Sequence, residues 1–180
     1  MSRSLYLILA LTPWLVVLCW YDWKWRRLPN LLTLGMAGAA LGWRFGFGYL
    51  PLLADGALGG LAAGLFLLIP FLLRGAGGGD VKMLFAVGCA CGLARVPMLL
   101  FCTSFAGFIM AIAMLIAGKA DSSRLKHWCR CIFDWRYDRK AGAAALPVAK
   151  KESTGVPYGV AIALGMWVTL AMEAYYRVGG

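Results

Sequence analysis

The chain has 180 residues, of which 62% are hydrophobic and only 14% charged, against roughly 45–50% and 25% in soluble domains; that excludes a soluble globular domain and makes a bilayer the solvent. With so much apolar surface to bury, the chain is not disordered either. The formal net charge of +10 finds its partner in anionic lipid headgroups rather than nucleic acid, because no Lys/Arg block alternates with stacking aromatics in a polar domain.

A spanning helix needs roughly 20 predominantly apolar residues, and six runs qualify: Leu5 to Tyr21, Leu31 to Tyr49, Leu53 to Leu73, Val81 to Ala94, Pro97 to Ala117 and Val156 to Tyr176. The expected fold is therefore an all-α membrane protein, a single domain over residues 1–180 built as a bundle of six transmembrane helices. The first run follows a basic start, Met1 to Ser4. No small-x-small cleavage site follows it, and the Trp- and Arg-rich stretch Tyr21 to Arg27 comes next, so it reads as a permanent anchor rather than a signal peptide. The fourth run is short; Lys82 can snorkel at its start, and Arg95 and Val96 can extend it.

Cytoplasmic loops carry an excess of Lys and Arg. Sorting these residues over six alternating spans puts 14 on one side and Arg3, Arg44, Arg95 and Arg177 on the other. Both termini then face outward, and the cytoplasmic loops are Asp22 to Asn30, Arg74 to Asp80 and Gly118 to Gly155. The last, the 118–155 loop before the final helix, is basic and reads as a solvated connector lying on anionic headgroups. Cys19, Cys89, Cys91 and Cys102 sit in apolar runs, where Cys behaves as a small hydrophobe. His127, Cys129 and Cys131 do not match the spacing of a zinc site and lack a fourth ligand, so no metal is expected.

A single His, placed in a polar loop, removes Ser-His-Asp and His-Glu-x-x-His chemistry. Carboxylates remain. Asp22, Asp55, Asp80 and Glu173 lie in or at the ends of apolar spans, where a charge at the helix centre costs roughly 2.5–3.5 kcal/mol, so each is a functional candidate. Asp55 and Glu173 fall on the outer side and read as interfacial helix-end charges. Asp22 and Asp80 share the cytoplasmic side.

Around Asp22 the sequence continues Trp23-Lys24-Trp25-Arg26-Arg27-Leu28-Pro29-Asn30. Pro29 forces a turn, and Asn30 suits an N-cap for the second span. The second site, Gly75-Ala76-Gly77-Gly78-Gly79-Asp80-Val81-Lys82, removes side chains where a peptide could approach the backbone. It fails as a phosphate loop, since the Gly-x(4)-Gly-Lys-Ser/Thr pattern is absent. Two acids in a low-dielectric site share a proton, one activating water while the other hydrogen-bonds the carbonyl. The helix dipole favours the anion at Asp80, at a helix N-terminus, over Asp22, near a helix C-terminus. Asp80 is therefore the expected base.

These residues resemble the type IV prepilin peptidases, intramembrane aspartyl proteases of the G-x-G-D class. Asp22 with Arg26, Arg27, Leu28, Pro29 and Asn30 is similar to the family's first-aspartate motif, Gly77-Gly78-Gly79-Asp80-Val81-Lys82 to its G-x-G-D-V-K, and Pro157-Tyr158-Gly159 to its C-terminal Pro-Tyr-Gly. The resemblance implies Asp22 and Asp80 as catalytic residues. Gly77, Gly79, Lys82, Pro29, Asn30, Pro157, Tyr158 and Gly159 would bind substrate or support the site. It also implies removal of the leader from prepilins or pseudopilins at the cytoplasmic edge of the bacterial inner membrane, with no cofactor. The short form looks most like the peptidases of tight-adherence (Flp) pilus systems. It lacks the Cys-x-x-Cys portion linked to N-methylation in longer members, which leaves N-methylation an open question.

Lys82, Tyr158 and the basic residues near Asp22 also suit snorkelling, an aromatic belt and positive-inside topology. Gly38, Gly42 and Gly46, like Gly56, Gly60 and Gly64, repeat every four residues and suit close helix packing. Two rival readings are a small transporter or channel subunit relaying protons or a cation through Asp22 and Asp80, and a structural assembly subunit.

Overall fold

A computed structural model of the chain describes residues 3–25, 28–72, 77–117 and 158–178. They form five helices: α1 (Arg3–Trp25), α2 (Asn30–Leu72), α3 (Gly78–Cys91), α4 (Val96–Ile116) and α5 (Tyr158–Val178), with a 3-10 turn, Leu93–Arg95, between α3 and α4. The all-helical class agrees with the sequence. Six separate helices are not seen as such: the second and third expected spans share one element of 43 residues, interrupted by non-helical geometry at Gly48 and Tyr49. Among the described residues, three stretches are long and apolar enough to cross a membrane: Asn30–Leu72, Leu93–Met114 and Tyr158–Tyr176.

A straight helix the length of α2 would run about 65 Å, twice the thickness of a hydrocarbon core. Gly48 (φ −153°, ψ 15°) and Tyr49 (φ 52°, ψ −144°) leave helical geometry just before Pro51, whose missing N–H and ring oppose an uninterrupted helix there. The chain folds back at this break. Arg44 Nη1 donates to Asp55 Oδ2 at 2.8 Å and to the Leu52 carbonyl at 3.3 Å, whereas eleven residues of straight helix would separate Arg44 and Asp55 by about 16 Å.

Contacts with α3 give the directions of the two limbs. Along the first, Asn30 meets Lys82 and Arg44 meets the Ala90 carbonyl, so this limb runs with α3. Along the second, Gly60 lies beside Cys89, Gly64 beside Phe85 and Phe71 beside Gly78, so it runs against α3. The second limb and α3 touch backbone to backbone: a Cβ on Gly59 would fall 2.8 Å from the Gly88 carbonyl oxygen, and one on Gly88 would fall 2.6 Å from that of Gly59. Close packing is thus correct for Gly56, Gly60 and Gly64. It is not for Gly38, Gly42 and Gly46, beside which a Cβ would meet nothing within 4 Å, because the four-residue spacing selects a helix face but not what that face abuts.

The core lies between all five helices, with Ala37, Ala40, Ala63 and Leu67 contributed by α2. Leu15, Leu18, Met83, Leu84, Leu99, Ile162, Met166 and Leu170 are its largest wholly buried apolar side chains. Helices α4 and α5 run antiparallel, with Gly165 against Thr103 and Gly107 beneath the Tyr158 ring. The chain divides into two compact units, Met1–Phe108 with Pro157–Gly180, and Ile109–Val156; everything below concerns the first. The 118–155 loop, with His127, Cys129 and Cys131, lies outside the described residues, as do Arg26, Arg27, Arg74 and Pro157.

Candidate active site

Helix α1 does not end at Tyr21 but continues to Trp25, so Asp22 is a helical residue rather than the start of a loop. Leu11, Leu15 and Leu18 are buried at successive steps of four and three; four residues on, the same face carries Asp22 inward. Asp22 is 6% exposed.

A buried carboxylate needs hydrogen-bond donors. The Gly159 N–H donates to Asp22 Oδ2 at 2.9 Å. Gly159 is the second residue of α5, and N–H groups in the first turn of a helix have no acceptor within it. A Cβ at this position would lie 2.7 Å from Oδ2, so only glycine lets the carboxylate come this close without displacement.

Helix α3 starts from Gly77, whose extended backbone (φ −81°, ψ 143°) caps it. Asp80 is not the cap. It is the third helical residue, and its Oδ2 accepts the Gly77 N–H at 3.2 Å, the carboxylate half of a capping box. A Cβ on Gly79 would press on Leu28 at 3.1 Å, so this glycine seats the start of α3 against the link between α1 and α2. Asp80 lies ahead of the apolar run that begins at Val81. Burial, and then the charge of Asp22, push its carboxyl up from the ordinary 3.8 to about 7, partly offset by the Gly77 N–H.

That raised value, with Asp22 at the N-terminus of α5, runs against the expectation that Asp80 is the readier base. The sequence sets each acid only against the dipole of its own helix; the tertiary structure sets Asp22 against a third helix.

Lys82 Nζ donates to Asn30 Oδ1 at 2.8 Å, joining α3 to the start of α2. Asn30 is not the N-cap: the Leu32 and Thr33 N–H groups bond to the Pro29 carbonyl at 3.1 and 3.2 Å, so Pro29 occupies that place and the Asn30 side chain serves Lys82 instead. The Trp14 indole N–H donates to the Leu32 carbonyl at 3.0 Å and ties α1 to the same turn. Tyr158 shares a side-chain hydrogen bond with Ser104 and lies within electrostatic reach of Asp80. Neither Trp14 nor Ser104 stands out in the sequence, since a Trp and a Ser inside apolar runs carry no spacing signal.

Asp22, Asn30, Gly77, Gly79, Asp80, Lys82, Tyr158 and Gly159 thus meet at one end of the helices. Asp55 and Glu173 lie at the other. Asp55 pairs with Arg44 and accepts the Leu93 N–H at 3.1 Å, while Glu173 Oε1 accepts from Arg95 Nη2 at 2.7 Å. Each of these helix-end charges is thus paired with an arginine of the same chain. Among the described residues no three His, Cys, Asp or Glu side chains gather as a metal site.

A model of the type IV leader peptidase family matches residues 9–112, a stretch that contains Asp22 and Asp80. A prepilin leader peptidase/N-methyltransferase of Neisseria gonorrhoeae is 31% identical over 115 residues, 61% of this chain and 40% of that relative. The aligned stretch therefore spans less than half of the curated protein. No solved structure matches significantly. Neither match supports the transport reading.

Proposed function

Since the chain belongs to the type IV leader peptidase family, we propose that it is an aspartyl endopeptidase that removes the leader from type IV prepilins or pseudopilins at the cytoplasmic edge of the bacterial inner membrane. The observation that carries this reading is the convergence of Asp22, Asp80 and Gly159, from three helices, at one end of the fold. Two carboxyl groups within each other's field cannot both ionise readily. One takes a proton from water while the other, protonated, polarises the scissile carbonyl, so hydrolysis needs no covalent intermediate and no cofactor.

In this reading the two limbs of α2 and the remaining helices cross the bilayer alternately, both termini lie outside, and the acids face the cytoplasm, where the basic loops meet anionic headgroups. Lys82 with Asn30 holds the start of α3 in register with that of α2. Tyr158 and Gly159 bring the head of α5 to the acids, and the glycines of the Gly77 to Gly79 run leave room for an extended peptide.

The test is co-expression with a candidate prepilin, following leader removal by gel shift for wild type, Asp22→Asn and Asp80→Asn. Cleavage by wild type, with precursor accumulating in both variants at normal membrane levels, is the expected result. Full processing by either variant would overturn the two-aspartate mechanism.

A further inference from the structure

We propose that Gly159 is a positioning residue: its backbone N–H, at the N-terminus of α5, holds Asp22 as the ionised member of the pair and leaves the shared proton on Asp80. This rests on the reading of Asp22 and Asp80 as the reacting groups, and adds to it a division of labour and the device that enforces it.

The argument is geometric. Asp22 is almost wholly enclosed, yet its Oδ2 meets a backbone N–H at 2.9 Å, and a hydrogen bond donated to the charged form of a carboxylate favours that form. The donor belongs to the first turn of a 21-residue helix, whose dipole adds to the preference for an anion. The bond depends on glycine, since a Cβ would lie 3.1 Å from Asp22 Cγ as well as 2.7 Å from Oδ2. Asp80 also has a donor, the Gly77 N–H, at a longer 3.2 Å. Cys19, on its own helix, and Asp80, from α3, each couple to Asp22 through their fields; Tyr158, from α5, couples to Asp80.

The step then balances. Asp22 accepts a proton from water as the water oxygen bonds to the carbonyl carbon, the C=O π pair moves to the carbonyl oxygen, and that oxygen takes the proton of Asp80, giving a tetrahedral diol. On collapse, Asp22 returns its proton to the amide nitrogen, the C–N bond breaks, and Asp80 recovers a proton from one hydroxyl. Both acids end as they began.

The experiment is a titration of the wild-type protein in lipid nanodiscs with ¹³C-labelled Asp carboxyls, the two signals assigned with Asp22→Asn and Asp80→Asn. The expected result is that the Asp22 signal titrates at lower pH than the Asp80 signal; the reverse order overturns the proposal. Alongside it, Gly159→Ala is compared with Gly60→Ala, whose Cβ would press on Cys89 Sγ away from the acids. Gly159→Ala should lower kcat about tenfold with KM within about twofold, and move the acid limb of the kcat profile upward by about one unit. Gly60→Ala should leave that limb in place. An unmoved limb in Gly159→Ala overturns the proposal, and if that variant does not fold, the wild-type titration decides alone. Full processing by Asp22→Asn would instead remove the underlying reading, whatever the titration order.

Discussion

At one end of the helices Asp55 and Glu173 each meet an arginine, Arg44 at 2.8 Å and Arg95 at 2.7 Å; at the other, Asp22 and Asp80 meet backbone N–H groups and each other's field. The same residue types thus serve opposite ends. A carboxylate beside a guanidinium makes charge-assisted hydrogen bonds and works as a strut. Two carboxylates held by glycine N–H groups compete for one proton, and that competition is what acid–base chemistry needs.

The largest effect that would break this contrast is loss of either acid of the pair. Asp22→Asn and Asp80→Asn should each reduce leader removal by about 10²–10⁴-fold, the range for loss of a positioned acid or base, with no loss of folded protein in detergent. A comparable loss of processing in folded Glu173→Gln would show that the two ends are not functionally distinct.

Next is pH. Burial and the charge of Asp22 push Asp80 up to about 7, and in the proposed mechanism its protonated form serves the carbonyl, so processing should fall about tenfold per unit as pH rises above about 7. The sign for stability follows the same shift: the folded-state value lies above the ordinary 3.8, so the protonated fold is favoured at low pH and stability declines as pH rises from about 4 through 7. Thermal unfolding of wild type and Asp80→Asn across that window checks it, since the variant should lose this slope. In Asp22→Asn the repelling charge is gone, and Asp80 should titrate below 7 by ¹³C resonance.

At the other end Arg44→Met should act on stability, not chemistry. Arg44 is buried and also donates to the Leu52 and Ala90 carbonyls, so removing it leaves acceptors unmet at a cost of about 1–3 kcal/mol, discounted toward the lower figure because the Asp55 side chain is 42% exposed. A lower midpoint of thermal unfolding with unchanged kcat is the expected outcome. Smallest is Lys82→Met, which removes one exposed hydrogen bond to Asn30; a net value of about 0.5–1.5 kcal/mol translates into a loss of no more than about tenfold in processing, against the far larger loss in Asp80→Asn.

Much of the candidate site was legible in the sequence because it is local. Asp22 and Asp80 stand out as acids against apolar runs, and Gly77 to Gly79 as an opening in the chain. The fold class was legible for the same reason, since an apolar run of spanning length can satisfy its backbone in lipid only as a helix. The spacing of Leu11, Leu15, Leu18 and Asp22 along one helix face was also in the sequence, and fits the continuation of α1 past Tyr21.

Other features were not local and could not be read. The spacing of Gly38, Gly42 and Gly46 is the same as that of Gly56, Gly60 and Gly64, yet only the second set abuts another backbone. Asn30 has the chemistry of a cap, but Lys82, 52 residues away, claims its side chain.

By itself the sequence determined that the chain is helical and apolar, where its acids lie and which glycines accompany them, because these follow from composition and from spacing along one helix. Only the tertiary structure decided that α2 doubles back at Gly48 and Tyr49, that Asp55 and Glu173 are bound to arginines, and that the head of α5 donates to Asp22 across 137 positions of chain. A hydrogen bond acts over about 3 Å, and which residues lie that close is fixed by how helices pack, not by their order along the chain.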